Sequence, residues 1–311
     1  MAVIVLVHGI AQEQRSADDL EAEWLPALAG GLRNAGYPEL ADRLWRGQDV
    51  RGGIEARMAF YGDRFLRPGT MGLDPDQLTA DQQALAEQFA QAWLERAALE
   101  MSDPRDRRTA QIELARLDDS LGQTQGPRAA VRSTVAGLAR LRWFAQPTMA
   151  FAERFVRRAL AQATRYFTDE ETRSYVQERV TQLIGPDTRV LVGHSLGSVV
   201  AYEVAHQLTQ PLSLLVTVGS PLGLRTIVYE RLRPQPPSFP HQVSYWVNVA
   251  DRDDLVAAAP DLTQLFATNQ PATARFEGGW TVDTGAKPHT PTFYLTKTQV
   301  GRPIAKALAG L

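Results

Sequence analysis

The chain of 311 residues contains no cysteine. Disulfides, thiolate nucleophiles and cysteine-ligated metal sites are therefore excluded, and a reducing compartment suits the sequence. Lysine is scarce too, since only three of the 33 basic residues are lysines. The formal net charge of −2 gives no global electrostatic basis for binding nucleic acid or a membrane.

Long apolar runs are also lacking, and none reaches the ~20 residues that a transmembrane helix needs. Residues 1–7 are apolar but carry no basic leader and run into a predicted strand, so we expect no signal peptide. There is no internal repeat and no low-complexity segment. The composition, 44% apolar and 22% charged, is ordinary for a globular protein, and we expect a cytoplasmic one.

The most informative stretch is 190–202, which predicts a short apolar strand, a Gly-x-Ser-x-Gly turn and a helix. A serine on so tight a bend, here Ser195, projects its hydroxyl from the end of a sheet. The helix that follows directs its positive end, with the N–H of Leu196, toward the place where an oxyanion would form. The loop after the first strand supplies a second candidate donor, the N–H of Ile10.

A serine hydroxyl becomes a good nucleophile only when a base removes its proton, and an acid orients that base. Of the five histidines, His289 is favoured by elimination, because it follows the last predicted strand. His8 is assigned a loop-structuring role, and His194 lies on the bend but is expected to point elsewhere. His206 is placed on a polar helix face and His241 at the amino end of a strand.

The acid is expected among the aspartates that follow the predicted strand 243–249. Asp254 is preferred because its distance past the strand leaves room for a turn. Asp251, interpreted as the first residue after the strand, is a serious rival. Either one gives the chain order Ser…Asp…His.

With these residues in hand, the chain resembles the α/β-hydrolase superfamily and, within it, the lipase- and esterase-like serine hydrolases. The motifs that carry the resemblance are Val-His-Gly-Ile (7–10), Gly-His-Ser-Leu-Gly (193–197), Gly-Ser-Pro-Leu-Gly (219–223), Asn-Val-Ala-Asp-Arg-Asp-Asp-Leu-Val (248–256) and Pro-His-Thr (288–290). The resemblance implies a serine nucleophile, an acyl-enzyme intermediate and no cofactor or metal. Because the first predicted strand starts at residue 2, we expect the usual leading hairpin of the family to be missing.

The predicted fold is α/β, with a mostly parallel sheet of α/β-hydrolase type covered on both faces. We expect a single domain, 1–311, with a large α-helical insertion, or cap, at about 64–184. Helical spacing of apolar residues and capping-box sequences beginning at Thr79 and Thr168 support this insertion. It is larger and earlier than a typical lid.

Part of the insertion is basic and aromatic. Residues 126–167 hold eight arginines (128, 132, 140, 142, 154, 157, 158 and 165) against one acidic residue, Glu153. The favoured interpretation is that the aromatic face packs on the sheet domain while the arginines face solvent. A second interpretation is a peripheral contact with an anionic membrane, or a grip on an acidic or acyl-chain substrate.

The predicted function is hydrolysis of a carboxylic ester, with Ser195, His289 and Asp254 as catalytic residues and a small-molecule or lipid acyl substrate. Two alternatives stay open. One is a thioesterase, acyltransferase or peptide-releasing or cyclising enzyme that uses the same three residues. The other is a non-catalytic hydrolase-like module that binds a lipid or a partner. A nucleic-acid partner is not expected, because no recognition motif accompanies the basic stretch.

Overall fold

A computed structural model of the chain describes residues 2–47, 52–66, 78–121, 127–144, 148–257, 259, 261–285 and 287–309, with the side chains of 118–121, 127–132 and 280 left undescribed. In chain order the elements are β1 (Ile4–Val7), α1 (Ala17–Asn34), α2 (Pro38–Trp45), β2 (Ala56–Ala59), α3 (Ala80–Glu100), α4 (Pro104–Leu121), α5 (Pro127–Ala139), α6 (Met149–Thr168), α7 (Glu170–Thr181), β3 (Val190–His194), α8 (Leu196–Gln207), β4 (Leu214–Val218), β5 (Tyr245–Asp251), α9 (Thr263–Phe266), β6 (Arg275–Val282), α10 (Pro291–Leu295) and α11 (Thr298–Leu308). They form two compact units, one of Met1–Asp63 with Ser174–Leu311 and the other of Arg64–Arg173.

The first unit, called the sheet unit below, is built on six strands in the order β2-β1-β3-β4-β5-β6, and every neighbouring pair is parallel. This confirms the predicted α/β class with a mostly parallel sheet. β1, β3 and β4 are buried along their whole length, as expected for strands with helices on both faces.

Alternate side chains of these strands face different helices. Ile4, Leu6 and Val192 belong to a core with residues of α1 and α11, including Trp24 and Ile304. Because successive strand residues point to opposite faces, the intervening residues face the other side, where α8 packs against β1, β3 and β4. The sheet is therefore the middle layer of three.

The start of α1 follows from local chemistry. The Ser16 hydroxyl accepts the N–H of Asp19, and the Asp19 carboxylate accepts the N–H of Ser16, which together form a capping box. Ser16 is therefore the N-cap of α1. The helix ends at Asn34, two residues before Gly36, whose φ of +92° suits a residue without Cβ.

The second unit, called the helical unit below, contains α3, α4, α5 and α6, with α3 packed against the other three. Its core includes contacting rings of Phe89, Trp93, Phe144 and Phe167. The unit ends at Arg173, whereas the sequence placed the end of the insertion near residue 184. Its arrangement as a cap over the site stays a prediction.

The two predicted capping boxes have different outcomes. Thr79 caps α3 as predicted, since its hydroxyl accepts the N–H of Gln82 and the Gln82 side chain accepts the N–H of Thr79. The prediction at Thr168 is wrong by one residue. Thr168 is the last residue of α6, and the carboxylate of Asp169 accepts the N–H of Glu171 at the start of α7.

The basic stretch is divided between paired and exposed residues. Arg140 pairs with Glu113 at 2.7 Å, and Arg142 pairs with Asp103 at 2.9 Å. Phe151 is 56% exposed at the start of α6, next to the exposed Arg154. The side chains of Arg128 and Arg132 lie outside the described residues, and membrane contact by this stretch stays a prediction. Among the helices of the described residues, none is both long and apolar enough to cross a bilayer.

Candidate active site

The site lies where the strand order reverses. β2 is placed on one side of β1 and β3 on the other, so the loops leaving β1 and β3 diverge at the carboxyl edge of the sheet. Open α/β sheets bind their ligands at such a switch point. The loop after β1 carries Gly9 and Ile10, and the turn after β3 carries Ser195.

Ser195 has φ +55° and ψ −130°, a conformation that is strained for a residue with a Cβ atom. The tight packing around it explains the glycines of the motif. A Cβ atom at Gly197 would lie 2.3 Å from the carbonyl oxygens of both Val7 and His8, so only glycine lets α8 begin this close to the end of β1. The Gly-x-Ser-x-Gly sequence therefore forms the strained strand-to-helix turn that its spacing predicted.

Three side chains from separate segments form a continuous hydrogen-bonded chain. The Nε2 atom of His289 lies 2.9 Å from the Oγ atom of Ser195, and its Nδ1 atom lies 2.8 Å from Oδ2 of Asp254. Because the carboxylate only accepts, Nδ1 carries the proton, which leaves Nε2 to accept from the serine hydroxyl. The structure thus brings together Ser195, His289 and the preferred aspartate.

Asp254 is fully buried and its carboxylate is held by three donors. Oδ1 accepts the N–H of Val256 at 3.0 Å, while Oδ2 accepts from His289 Nδ1 and from the hydroxyl of Tyr294, each at 2.8 Å. These hydrogen bonds replace the water that the buried carboxylate has lost. The carboxylate is thus fixed in position against the imidazole.

The rival acid makes no hydrogen bond to His289. Asp251 is the last residue of β5, not the first residue after it as the sequence suggested. Its carboxylate accepts the N–H and the hydroxyl of Thr284 and the N–H of Asp253. Burial raises the pKa of Asp251 above its usual value, against the lowering effect of these hydrogen bonds. Asp251 therefore links the end of β5 to the loop before His289.

Both predicted oxyanion donors lie near Ser195. Leu196 is the next residue along the chain, and Ile10 belongs to the loop that packs against the serine. The N–H of Leu196 is the first of α8, and first-turn N–H groups of a helix have no acceptor within it. A Cβ atom built on Gly9 would lie 2.8 Å from the Cβ atom of Ser195, which places the loop carrying Ile10 beside the serine. Within the described part of the chain, neither N–H group has a hydrogen-bond acceptor.

His194 contacts the site, contrary to the expectation that it points elsewhere. Its Nε2 atom lies 2.9 Å from the backbone oxygen of His289, and the two rings are 4.6 Å apart. Burial lowers the pKa of His194 well below its usual value, and a positive charge on His289 would lower it further, so the His194 ring stays neutral and donates through Nε2–H. This contact holds the backbone of the loop that carries His289.

The remaining histidines have their own hydrogen-bond partners or are exposed. His8 is buried, with Nδ1 2.6 Å from the Gly9 oxygen and Nε2 accepting the N–H of Tyr61 at 3.2 Å, in agreement with a loop-structuring role. His206 is partly buried, and its Nε2 atom lies 3.1 Å from the Ser238 oxygen. His241 is exposed.

Sequence reasoning missed Tyr294, which is buried in α10 and donates to Asp254. No motif marks it, because its hydrogen bond is formed only by the tertiary fold. As for metals, the described residues contain no group of three or more His, Asp or Glu side chains arranged to hold an ion.

Part of the chain is similar to a known protein family. The model of the alpha/beta hydrolase family matches residues 159–309, a segment that includes Ser195, Asp254 and His289. No match was found among the curated proteins, and none among the solved structures. Residues 159–309 are thus similar to the alpha/beta hydrolase family, and the parallel sheet with its strained serine turn supports an α/β-hydrolase fold.

Proposed function

We propose that the protein is a serine hydrolase that cleaves a carboxylic ester through an acyl-enzyme on Ser195. The observation that carries the proposal is the hydrogen-bonded chain from Ser195 Oγ through His289 to the buried Asp254. Nucleophile, base and orienting acid stand within hydrogen-bond distance in the order that proton transfer requires.

In the first half of the reaction, Ser195 Oγ bonds to the ester carbonyl carbon as its proton passes to Nε2 of His289. The carbonyl oxygen becomes an oxyanion, and the N–H groups of Leu196 and Ile10 are the proposed donors to it. When the carbonyl re-forms, the alcohol leaves with the proton from His289. Asp254 stabilises the imidazolium that exists between these two transfers.

In the second half, water takes the place of the alcohol. His289 accepts a proton from water as its oxygen bonds to the acyl carbon, and returns that proton to Ser195 Oγ as the acid leaves. Every proton that His289 takes up is given back within the cycle, so neither a cofactor nor an oxidant is needed. The same residues would serve a thioester, which differs only in its leaving group.

Turnover of a substrate panel tests the proposal. Acyl esters of increasing chain length are assayed beside matched thioesters and amides, with wild type, Ser195→Ala and Ser220→Ala. We expect ester hydrolysis by wild type, a loss of about 10⁴-fold or more in Ser195→Ala, and near-normal rates in Ser220→Ala. Ser220 is a matched control, because its buried hydroxyl bonds Ser198 and the N–H of Leu222 instead of His289.

The other outcomes distinguish a wrong substrate class from a wrong mechanism. Exclusive thioester or amide turnover that depends on Ser195 would contradict the ester assignment and leave the serine mechanism standing. Equal rates in wild type and Ser195→Ala would overturn the mechanism itself, and a non-catalytic binding module would then be the better account.

A further inference from the structure

Tyr294 occupies a position behind the acid that no sequence motif marks. It lies in α10, five residues after His289, and its side chain is buried. Its hydroxyl oxygen lies 2.8 Å from the N–H of Asp251 and 2.8 Å from Oδ2 of Asp254. The phenol therefore joins the end of β5 to the carboxylate that faces His289.

The two neighbours fix the direction of the phenol proton. The backbone N–H of Asp251 can only donate, so the Tyr294 oxygen accepts there and its own proton points to Asp254. Burial and the nearby Asp254 and Asp251 carboxylates raise the pKa of Tyr294 well above its usual value, so the hydroxyl stays protonated. Tyr294 is thus a permanent donor to Oδ2.

We infer that Tyr294 is a positioning residue, whose hydroxyl fixes the Asp254 carboxylate and limits how strongly it attracts the proton on His289. The inference rests on the proposed function for its effect on turnover. Oδ2 accepts from both Tyr294 and His289, and the donors share its charge. Because Tyr294 is buried behind the acid, it acts through Asp254 and does not touch substrate.

Asp251 acquires a role in this arrangement although it does not contact His289. Its carboxylate is anchored by Thr284 and Asp253, and its N–H holds the Tyr294 oxygen. The two candidate acids thus form one assembly, with Tyr294 between them. The titratable side chains that face the His289 imidazole in the described part of the chain include Asp254 and the neutral His194, and Tyr294 and Asp251 lie behind Asp254.

The test compares Tyr294→Phe with Tyr202→Phe. Tyr202 is a matched control, because it is also buried, donates to the Ser238 oxygen at 2.9 Å and accepts the Ser238 N–H at 3.1 Å. The main readout is the pKa of the His289 imidazole, measured by NMR titration of the ring, which does not depend on turnover. The second readout is the acid limb of kcat/KM against pH.

Loss of the Tyr294 donor leaves more charge on Oδ2, which stabilises the imidazolium. We expect the pKa of His289 to rise by about half a unit to one unit in Tyr294→Phe, and the acid limb to move upward equally with KM unchanged. Tyr202→Phe should lower the unfolding temperature without moving either readout. In the Asp254→Asn background, the Tyr294→Phe shift should vanish.

An unchanged His289 pKa in Tyr294→Phe, or an equal shift in Tyr202→Phe, would overturn the inference. So would a shift that persists with Asn at position 254. If the titration shifts as expected but wild type hydrolyses none of the panel, then the proposed function fails while the role of Tyr294 toward His289 stands.

Discussion

The Nδ1 atom of His289 lies 2.8 Å from Oδ2 of Asp254, while Asp251, three residues earlier, directs its carboxylate to Thr284. Two aspartates at the end of one strand thus have different partners. The difference arises because the turn after β5 carries Asp254 beyond the sheet edge, whereas Asp251 still pairs with β6.

Asp254→Asn should lower kcat/KM by about 10³–10⁴-fold, since an amide no longer stabilises the imidazolium or selects the required tautomer. Asp251→Asn should lower it less than about tenfold and act mainly on the unfolding temperature, because its carboxylate holds backbone and hydroxyl groups. Steady-state kinetics and thermal unfolding of both variants decide the matter. Similar kinetic losses in the two would contradict the assignment of the acid.

Gly9→Ala should impair turnover through Ser195. The added Cβ atom would lie 2.8 Å from the Cβ atom of Ser195 and 3.3 Å from Nδ1 of His194. Displacing a nucleophile by a fraction of an ångström to 1 Å costs up to about 10²-fold in rate. We expect kcat to fall by about that factor with a small change in KM, and a rate within twofold of wild type would show that the loop after β1 is not pressed against the serine.

The buried His8 should make stability depend on pH. Burial lowers the pKa of His8 from 6.5 to about 4, against the raising effect of its hydrogen bond to Gly9, and a proton on Nε2 would face the N–H of Tyr61. Between pH 6.5 and about 4 the unfolded chain binds a proton on His8 that the folded chain does not. Stability is therefore lost as the pH falls through this window.

His8→Gln is the variant that checks this effect. Between pH 7.5 and 5.0, wild type should lose about 2 kcal/mol more of its unfolding free energy than the variant. Urea unfolding at the two pH values measures the difference. A loss of equal size in both proteins would mean that His8 does not contribute.

Two adjacent glycines of α1 should respond oppositely to alanine. A Cβ atom at Gly30 meets only Thr296 Cγ2 at 3.7 Å, whereas one at Gly31 would lie 2.1 Å from the oxygen of Leu295. Gly30→Ala should stabilise the protein by about 0.5–1 kcal/mol through helix propensity. Gly31→Ala should destabilise it by about 2 kcal/mol or more. Thermal unfolding compares them, and the same sign in both would refute the packing of α1 against the chain near Leu295.

The sequence was most informative where local chemistry decides the structure. Continuous apolar strands, the capping residue Thr79 and the glycine-flanked turn at Ser195 are each determined by nearby residues, and each was predicted. The choice of His289 among five histidines needed only the rule that sites lie at the carboxyl ends of parallel strands.

Prediction was weaker where distant contacts decide. β5 extends to Asp251 because β6 pairs with it, which the residues around Asp251 do not reveal. The contacts of His194 with the His289 backbone and of Tyr294 with Asp254 join segments 95 and 40 residues apart. Thr168 is still part of α6, so the carboxylate that accepts the first N–H groups of α7 is that of the next residue, Asp169.

Labelling with a fluorophosphonate probe tests the central claim most directly, because the probe forms a covalent bond only with an activated serine hydroxyl. We predict one label per wild-type chain, mapped by peptide mass spectrometry to Ser195. The label should be absent from Ser195→Ala, kept in Ser220→Ala and strongly slowed in His289→Ala. No labelling of wild type, or a label on another serine, would contradict the proposed nucleophile.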